Sequence, residues 1–423
     1  MPFTQAVLDW SDGVLSAPTG LGDWVADYPV TICFPFVGDV IGGNHISVLG
    51  LIKHLDPSRF IPLVVLHDVD GPVAKLYREA GVGFVQDPGR GRLVHGRRVR
   101  GSALMGLLPD LPARMRFLKQ HRVAIVHTND GRCHAAWGLA ARLAGAKLLW
   151  HHRGNPTAAG LRAAPWLAHQ IVAVSRFAAP SYRRRPDAVR VIFSPFDTAI
   201  SEDRCARRAA LIDELDMAPD VRLVGFFGAL MDRKRPLLFV DAIAELQRLR
   251  PDIRFMGLMF GEPHEGAEIH VPERARAAGI GDSIRLMGFR RPGAGWIAAC
   301  DLLMVPAVEE PLGRTLVEAM LVGTPVVATD SGGNREAIEH GRTGLIVRAE
   351  DAEALARGAE RILADAALRK RLTAAAAAHA REHFGATRHA SRIMAIYEQL
   401  MSRAKGKQNP GRSARSTASV EAM

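Results

Sequence analysis

Short apolar runs alternate with longer stretches of helical periodicity along most of the 423-residue chain. Apolar runs of about four to eight residues bounded by turn residues fit strands buried on both faces, and apolar positions recurring every three or four residues fit amphipathic helices. Strands are therefore expected near residues 30–36, 61–67, 82–86, 123–127, 147–151, 170–174 and 190–193, and again near 222–228, 254–260, 284–287, 302–306, 325–328 and 344–347. Helical patterns between successive strands point to parallel pairing, since a parallel neighbour is reached only by a long crossover. A polar stretch near 195–220 separates the two series. The expected fold class is α/β, with two doubly wound, Rossmann-like domains facing a cleft, and the length, beyond what one core usually fills, agrees.

The chain-level organisation expected from this pattern is an extension over residues 1–27, a first domain over 28–197, a second over 198–375, an Ala-rich helical segment to 402, and a tail over 403–423. The tail lacks periodicity and is rich in basic and small polar residues, so it is expected to be disordered.

Charge narrows the partners. The formal net charge is +11, which favours anionic ligands such as nucleotide diphosphates, anionic lipid surfaces or acidic glycans. No zinc finger, RNA-recognition motif or aromatic-interleaved basic groove supports nucleic acid. The four cysteines, Cys33, Cys133, Cys205 and Cys300, form no C-x-x-C pair, which argues against a zinc site and a disulfide framework and predicts core thiols. No apolar run reaches about 18 residues, and the first residues carry acids where a signal peptide carries bases. A cytoplasmic protein without a transmembrane helix is expected.

Chemistry concentrates in the second half. Residues 301–306 (DLLMVP) read as a buried strand, 307–313 as a loop, and 314–322 as a helix, with Glu310 before the helix and Glu318 inside it. A helix that begins just after a strand offers unpaired N–H groups and a partial positive charge to a phosphate. Leu312, Gly313, Arg314 and Thr315 form that turn, and the two glutamates are placed to bind hydroxyls on either side of a diphosphate. Upstream, Gly228 ends a strand and leads into Asp232-Arg233-Lys234-Arg235, a cationic turn; Gly42-Gly43 follows the first strand, where a backbone without side chains can approach a ligand. His151-His152-Arg153-Gly154 closes another strand.

The ordered run EPLGRTLVEAM, GTPVVATDSGG, Glu336 and HGRTGLIV resembles the E-x7-E signature region of the family-4 retaining glycosyltransferases (glycosyl transferases group 1), enzymes of the two-domain GT-B fold. That resemblance implies that Glu310 contacts hydroxyls of the donor sugar, that Glu318 contacts the ribose, and that Lys234 binds the donor diphosphate. It implies a Gly-rich loop at Gly42 and Gly43 facing the cleft, a histidine near the reacting sugar at His151 or His152, and a last helix, over 376–402, crossing back to the first domain. Where the family carries a second diphosphate-binding Arg this chain has Ala229, so Arg233 or Arg235 is the candidate substitute. Gly332-Gly333 either joins the phosphate site or packs a tight turn.

The implied reaction is a retaining sugar transfer from a nucleotide-diphosphate sugar, needing no cofactor and no metal, to a glycan, lipid-linked or small-molecule acceptor, in cell-surface polysaccharide or glycolipid synthesis. Asp68-Val69-Asp70 is read as a loop rather than a metal-binding D-x-D. The alternatives are an epimerase or hydrolase acting on nucleotide-sugars, or a silent scaffold marked by Ala229. Finally, the arginines between Arg90 and Arg100, with Arg114, Arg116 and Lys119, are expected to hold the protein against an anionic membrane, on the inner face, each contributing about 1 kcal/mol.

Overall fold

The computed structural model describes residues 29–38, 40–90, 105–182, 186–263 and 269–405. Every expected strand forms. In the first sheet β1 (Val30–Phe36), β2 (Phe60–Leu66), β3 (Phe84–Gln86), β4 (Ile125–Thr128), β5 (Lys147–His152), β6 (Gln170–Ala173) and β7 (Val189–Val191) lie in the order β3-β2-β1-β4-β5-β6-β7. In the second, β8 (Arg222–Phe227), β9 (Phe255–Phe260), β10 (Ile284–Gly288), β11 (Leu302–Val305), β12 (Val326–Thr329) and β13 (Leu345–Val347) lie in the order β10-β9-β8-β11-β12-β13. All pairs are parallel. Strands β4, β6, β9, β11 and β12 are buried at every position, which is why they read as largely apolar runs rather than as alternation.

Strand order reverses between β1 and β4 in one sheet and between β8 and β11 in the other. Loops leaving the carboxyl ends of neighbouring strands diverge at such a switch point, so a crevice opens there by topology alone.

Two helices finish the described chain. Ala366–Phe384 packs Leu368 and Leu372 into the core of the second sheet, and Ala376, Ala380 and Phe384 into a core that also holds Ala173, Val174 and Phe196 of the first domain. At Gly385 the chain bridges to Phe196, and Ala386–Lys405 lays Ala390, Ile393, Ile396, Tyr397 and Leu400 against β1 and β2. The crossing expected from the sequence is thus made by the last helix.

Two expectations are corrected. Arg114 is 1% exposed, inside an ion pair with Asp87 at 3.0 Å, with Asp110 at 3.7 Å, and over the Trp137 ring. It cannot face a membrane; burial of its aliphatic stem and full pairing of its head made the interior the lower-energy place. Arg116 and Lys119 on the same helix are exposed, and Arg92, Arg97, Arg98, Arg100 and residues 183–185 lie outside the described residues. Of the four cysteines, Cys33, Cys133 and Cys300 are core thiols but Cys205 is exposed, because its helix, Arg204–Glu214, buries only the Leu211 and Ile212 face. Among the described residues no helix is long and apolar enough to cross a membrane.

Candidate functional site at the cleft

In the second domain three loops meet beyond β8, β11 and β12. After β8 the chain passes Gly228 at φ +154° and closes a short 3-10 turn, Asp232–Lys234. Arg235 ends that turn at φ +52°, a conformation that is costly for a residue with a side chain, and its guanidinium is tied down by Asp232 and Glu350, each at 2.7 Å. Arg235 is therefore committed to the turn. Arg233 and Lys234 converge instead on one atom: Arg233 Nη1 and Lys234 Nζ each donate to Glu310 Oε2 at 2.6 Å. The Lys234 side chain runs over Gly228, where a Cβ would come within 3.3 Å of Cε. Burial works against ionisation of Glu310, but Lys234 and Arg233 together outweigh it and hold the carboxyl below the ordinary glutamate range.

The Glu310 backbone is fixed from behind. Gly332, at φ +60°, lies so close that a Cβ would stand 2.5 Å from Glu310 N and O, and Gly333 N–H donates to Glu310 O at 2.7 Å. Of the two roles expected for this glycine pair, the structure shows the packing one. Three residues on, the Glu336 carboxylate accepts from the N–H groups of Arg176 at 2.7 Å and Phe177 at 2.8 Å, a hydrogen-bonded tie between the domains.

Beyond Glu310, Leu312 anchors the loop in the core and Gly313 caps the helix Arg314–Val322, which has no side-chain cap. Its first N–H groups, at Arg314 and the partly exposed Thr315, thus keep their capacity to bind an anion. The Arg314 side chain turns to the first domain, to Ser47 Oγ at 3.0 Å, Pro195 O at 3.4 Å and the Phe196 ring at 4.3 Å. Gly43 is the residue that makes room, since a Cβ there would stand 2.7 Å from Arg314 Cδ. Gly42 donates its N–H to His45 Nδ1 at the start of the first-domain helix Gly43–Ile52. The expected glycine loop therefore does face the second domain, and the nearest group it meets is an arginine. Glu318 lies 3.6 Å from Arg314 and beside Gly293; burial pushes its carboxyl up and Arg314 offsets part of that. The two glutamates thus serve different neighbours, one the cation pair and the other the Gly293 turn.

The first-domain side of the cleft is built at the carboxyl end of β5. His151 is fully buried; its Nδ1 lies 3.1 Å from His127 Nε2, and His127 Nδ1 lies 2.6 Å from the Tyr397 hydroxyl on the crossing helix. Arg153 Nη2 reaches the same His151 Nδ1 at 3.3 Å. A guanidinium only donates, so His151 Nδ1 accepts and its proton sits on Nε2; His127 then donates from Nε2 and accepts the Tyr397 proton at Nδ1. His389 faces His151 with ring centroids 5.8 Å apart. Burial first, and Arg153 after it, depress His127 and His151, and His389 falls to about 3. His152 turns aside to Asn155 O at 3.0 Å. Of the expected pair, His151 enters this network and His152 does not.

Arg153 itself carried no expected role. Its Nε and Nη2 donate to Asn129 Oδ1 at 3.2 and 3.1 Å, and its Nη1 to Ser194 Oγ at 3.1 Å. Burial and then Arg314 push the guanidinium down to about 9, still charged at neutral pH. Asn155, two residues further, donates to Glu309 Oε2 at 2.8 Å, which ties this end of β5 to the loop that carries Glu310. The only sequence signal for it was an arginine directly after two histidines at a strand end.

Among the described residues no three His, Cys, Asp or Glu side chains are grouped to hold a metal ion. Asp68 Oδ1 accepts from the N–H groups of Asp70 at 3.0 Å and Gly71 at 3.1 Å, closing its own turn.

Residues 221–365 match the family described as glycosyl transferases group 1. Among similar proteins, the lipopolysaccharide core biosynthesis mannosyltransferase LpsB of Rhizobium meliloti is 36% identical over 195 residues, covering 44% of this chain and 54% of LpsB. A D-inositol 3-phosphate glycosyltransferase of Stackebrandtia nassauensis is 32% identical over 219 residues, covering 47% of this chain and 46% of its own. The chain thus spans about half the length of these relatives. Among solved structures, Anabaena HepE in complex with UDP and glucose superposes with a TM-score of 0.74 at 21% identity, over 88% of this chain and 100% of that one. Sucrose-phosphate synthase of Thermosynechococcus elongatus gives 0.69 at 19% identity, over 88% and 100%. Residues 221–365, which hold the ordered motifs and the cation pair, thus match the group 1 glycosyl transferase family, and the solved structures show a chain of GT-B fold.

Proposed function

We propose that the protein transfers a sugar from a nucleotide-diphosphate sugar to an acceptor, with retention, and with side-chain cations in place of a metal ion. The observation that carries this reading is the convergence of Arg233 and Lys234 on Glu310 Oε2 beside the uncapped helix Arg314–Val322. Diphosphate oxygens entering between the cations and the helix N-terminus displace the carboxylate, which is then free to accept hydroxyls of the donor sugar. Arg233 supplies the charge missing at Ala229. The cations and N–H groups stabilise the departing diphosphate, a contribution worth about 10² to 10³ in turnover for a single preorganised donor. The names of the relatives, a mannosyltransferase and an inositol phosphate glycosyltransferase, support sugar transfer, and UDP in HepE makes uridine nucleotides the first to test. The acceptor is a glycan, a lipid-linked glycan or a small molecule, and exposed Arg116 and Lys119 support peripheral contact with an anionic membrane.

Thermal shift with UDP, GDP and ADP and their sugars tests the donor site; a ligand at a hundred times its Kd adds about 2.7 kcal/mol of stability. Donor consumption that rises with added acceptor supports transfer. Consumption that ignores acceptors supports the hydrolase or epimerase reading, and no nucleotide binding removes the proposal.

A further inference from the structure

Arg153 is a cation without an anion. Among the described residues no carboxylate lies within ion-pair distance of it; its partners are the neutral oxygens of Asn129 and Ser194 and a neutral imidazole nitrogen of His151. The other groups around it do not compensate. Arg314 adds a second positive charge, and His127 and His389 are held uncharged. A partly buried guanidinium is ordinarily paired, because neutral acceptors satisfy its N–H groups but leave its charge desolvated. Here three side chains hold the fork in place, and Asn155 ties the same strand end to Glu309, next to the residue that closes on the donor cations.

We infer that Arg153 is the recognition point for an anionic group, a carboxylate or a phosphate, carried by the acceptor beside the hydroxyl that receives the sugar. The inference rests on the transferase reading only for the word acceptor; the anion site stands on the first domain alone. The donor diphosphate has its own cations on the second domain, so Arg153 is not needed for it. Asn129, His151 and Ser194 take four of its five N–H groups, so an anion would meet the uncompensated charge and the remaining Nη1 N–H, against a neutral imidazole cluster that cannot repel or protonate it.

The test uses the full chain and three probes matched in size: mannose, glucuronate and mannose 6-phosphate, with UDP and GDP as donor-side controls. The expected result is a rise in Tm with one or both anionic sugars, none with mannose, and a Kd at least tenfold weaker for that sugar in Arg153→Gln, with the nucleotide response unchanged. Arg153→Lys, which keeps the charge but not the fork, should recover part of the binding and stands in should Arg153→Gln lose its fold. The anionic sugar that responds names the group. Equal responses to mannose and both anions, a response untouched by Arg153→Gln, or a variant that weakens nucleotide and sugar alike would overturn the assignment. If neither UDP nor GDP binds the parent protein while an anionic sugar does, the transferase reading fails and the anion site remains.

Discussion

The two sides of the cleft hold their cations in opposite ways. In the second domain Arg233 and Lys234 share one internal carboxylate, Glu310, so half of their charge is offset before any ligand arrives. In the first, Arg153 is held by amide, hydroxyl and imidazole, and its charge is unbalanced. The first arrangement suits a ligand that must be exchanged at each turnover, since incoming oxygens replace an oxygen already there. The second suits recognition, because no internal carboxylate competes with an incoming anion for the charge of the cation. Arg114 marks a third case, a guanidinium paired with Asp87 and sealed in the core, with no ligand to serve.

The largest effect that tests this contrast is on stability. Arg114→Ala leaves the buried Asp87 carboxylate unpaired and should cost about 3–5 kcal/mol, whereas Arg153→Gln strands no opposite charge, only neutral acceptors such as the buried Asn129 Oδ1, and should cost less, about 1–3 kcal/mol. Urea unfolding of both variants measures it. A loss from Arg153→Gln as large as that from Arg114→Ala would mean that Arg153 holds the fold rather than a ligand.

Next in size is turnover. Lys234→Ala should lower kcat by about 10² to 10³ with the fold intact, and Arg233→Ala should cost a similar factor if Arg233 replaces the cation missing at Ala229. Steady-state rates on the donor identified by thermal shift decide between them. Full activity in Arg233→Ala would leave Lys234 and the helix N-terminus as the whole clamp.

Much of this was legible in the residues. The strands were readable because parallel sheets bury both faces and leave unbroken apolar runs, as in β9 and β11. The cation turn and the glutamates were readable because they sit within one ordered local motif. What could not be read is long-range pairing. Nothing adjacent to Arg114 in sequence announces Asp87 at a separation of 27 residues, and nothing near His127 announces Tyr397 at a separation of 270. Gly43 looked like a site for ligand approach and proved to accommodate Arg314 from the other domain, a contact set by tertiary packing alone. Arg233 and Arg235 were equivalent in sequence, and the left-handed backbone at Arg235 with its ties to Asp232 and Glu350 separated them.

The contrast also has a pH signature. Burial depresses His127, His151 and His389, the last to about 3, so each stays neutral in the folded protein below pH 6.5 while its unfolded counterpart gains a proton. The unfolded state then binds more protons, and stability present above about pH 6.5 falls as pH drops, by up to about 1.4 kcal/mol per pH unit for each histidine. His389→Gln should flatten the slope of unfolding free energy between pH 6.5 and 5 by one such increment. An unchanged slope would mean that His389 protonates in the folded state, which would place a second charge beside Arg153 and weaken the argument for neutral surroundings.

The smallest expected effect separates the two glutamates of the second domain. Glu310 sits on the cations and Glu318 beside Gly293, at the turn where the nucleoside would lie if the diphosphate occupies the helix N-terminus. Glu318→Gln should therefore weaken the bare nucleoside diphosphate by the loss of about one hydrogen bond, roughly two- to tenfold in Kd. Glu310→Gln should leave the bare nucleotide as tight or tighter, because the cations lose their internal competitor, and should weaken only the sugar-bearing donor, relative to the bare nucleotide. Calorimetry with both ligands on both variants gives four affinities. Equal losses across all four would merge the roles of the two carboxylates, and a bare nucleotide that binds more weakly to Glu310→Gln would show that Glu310 positions the cations rather than competing for them.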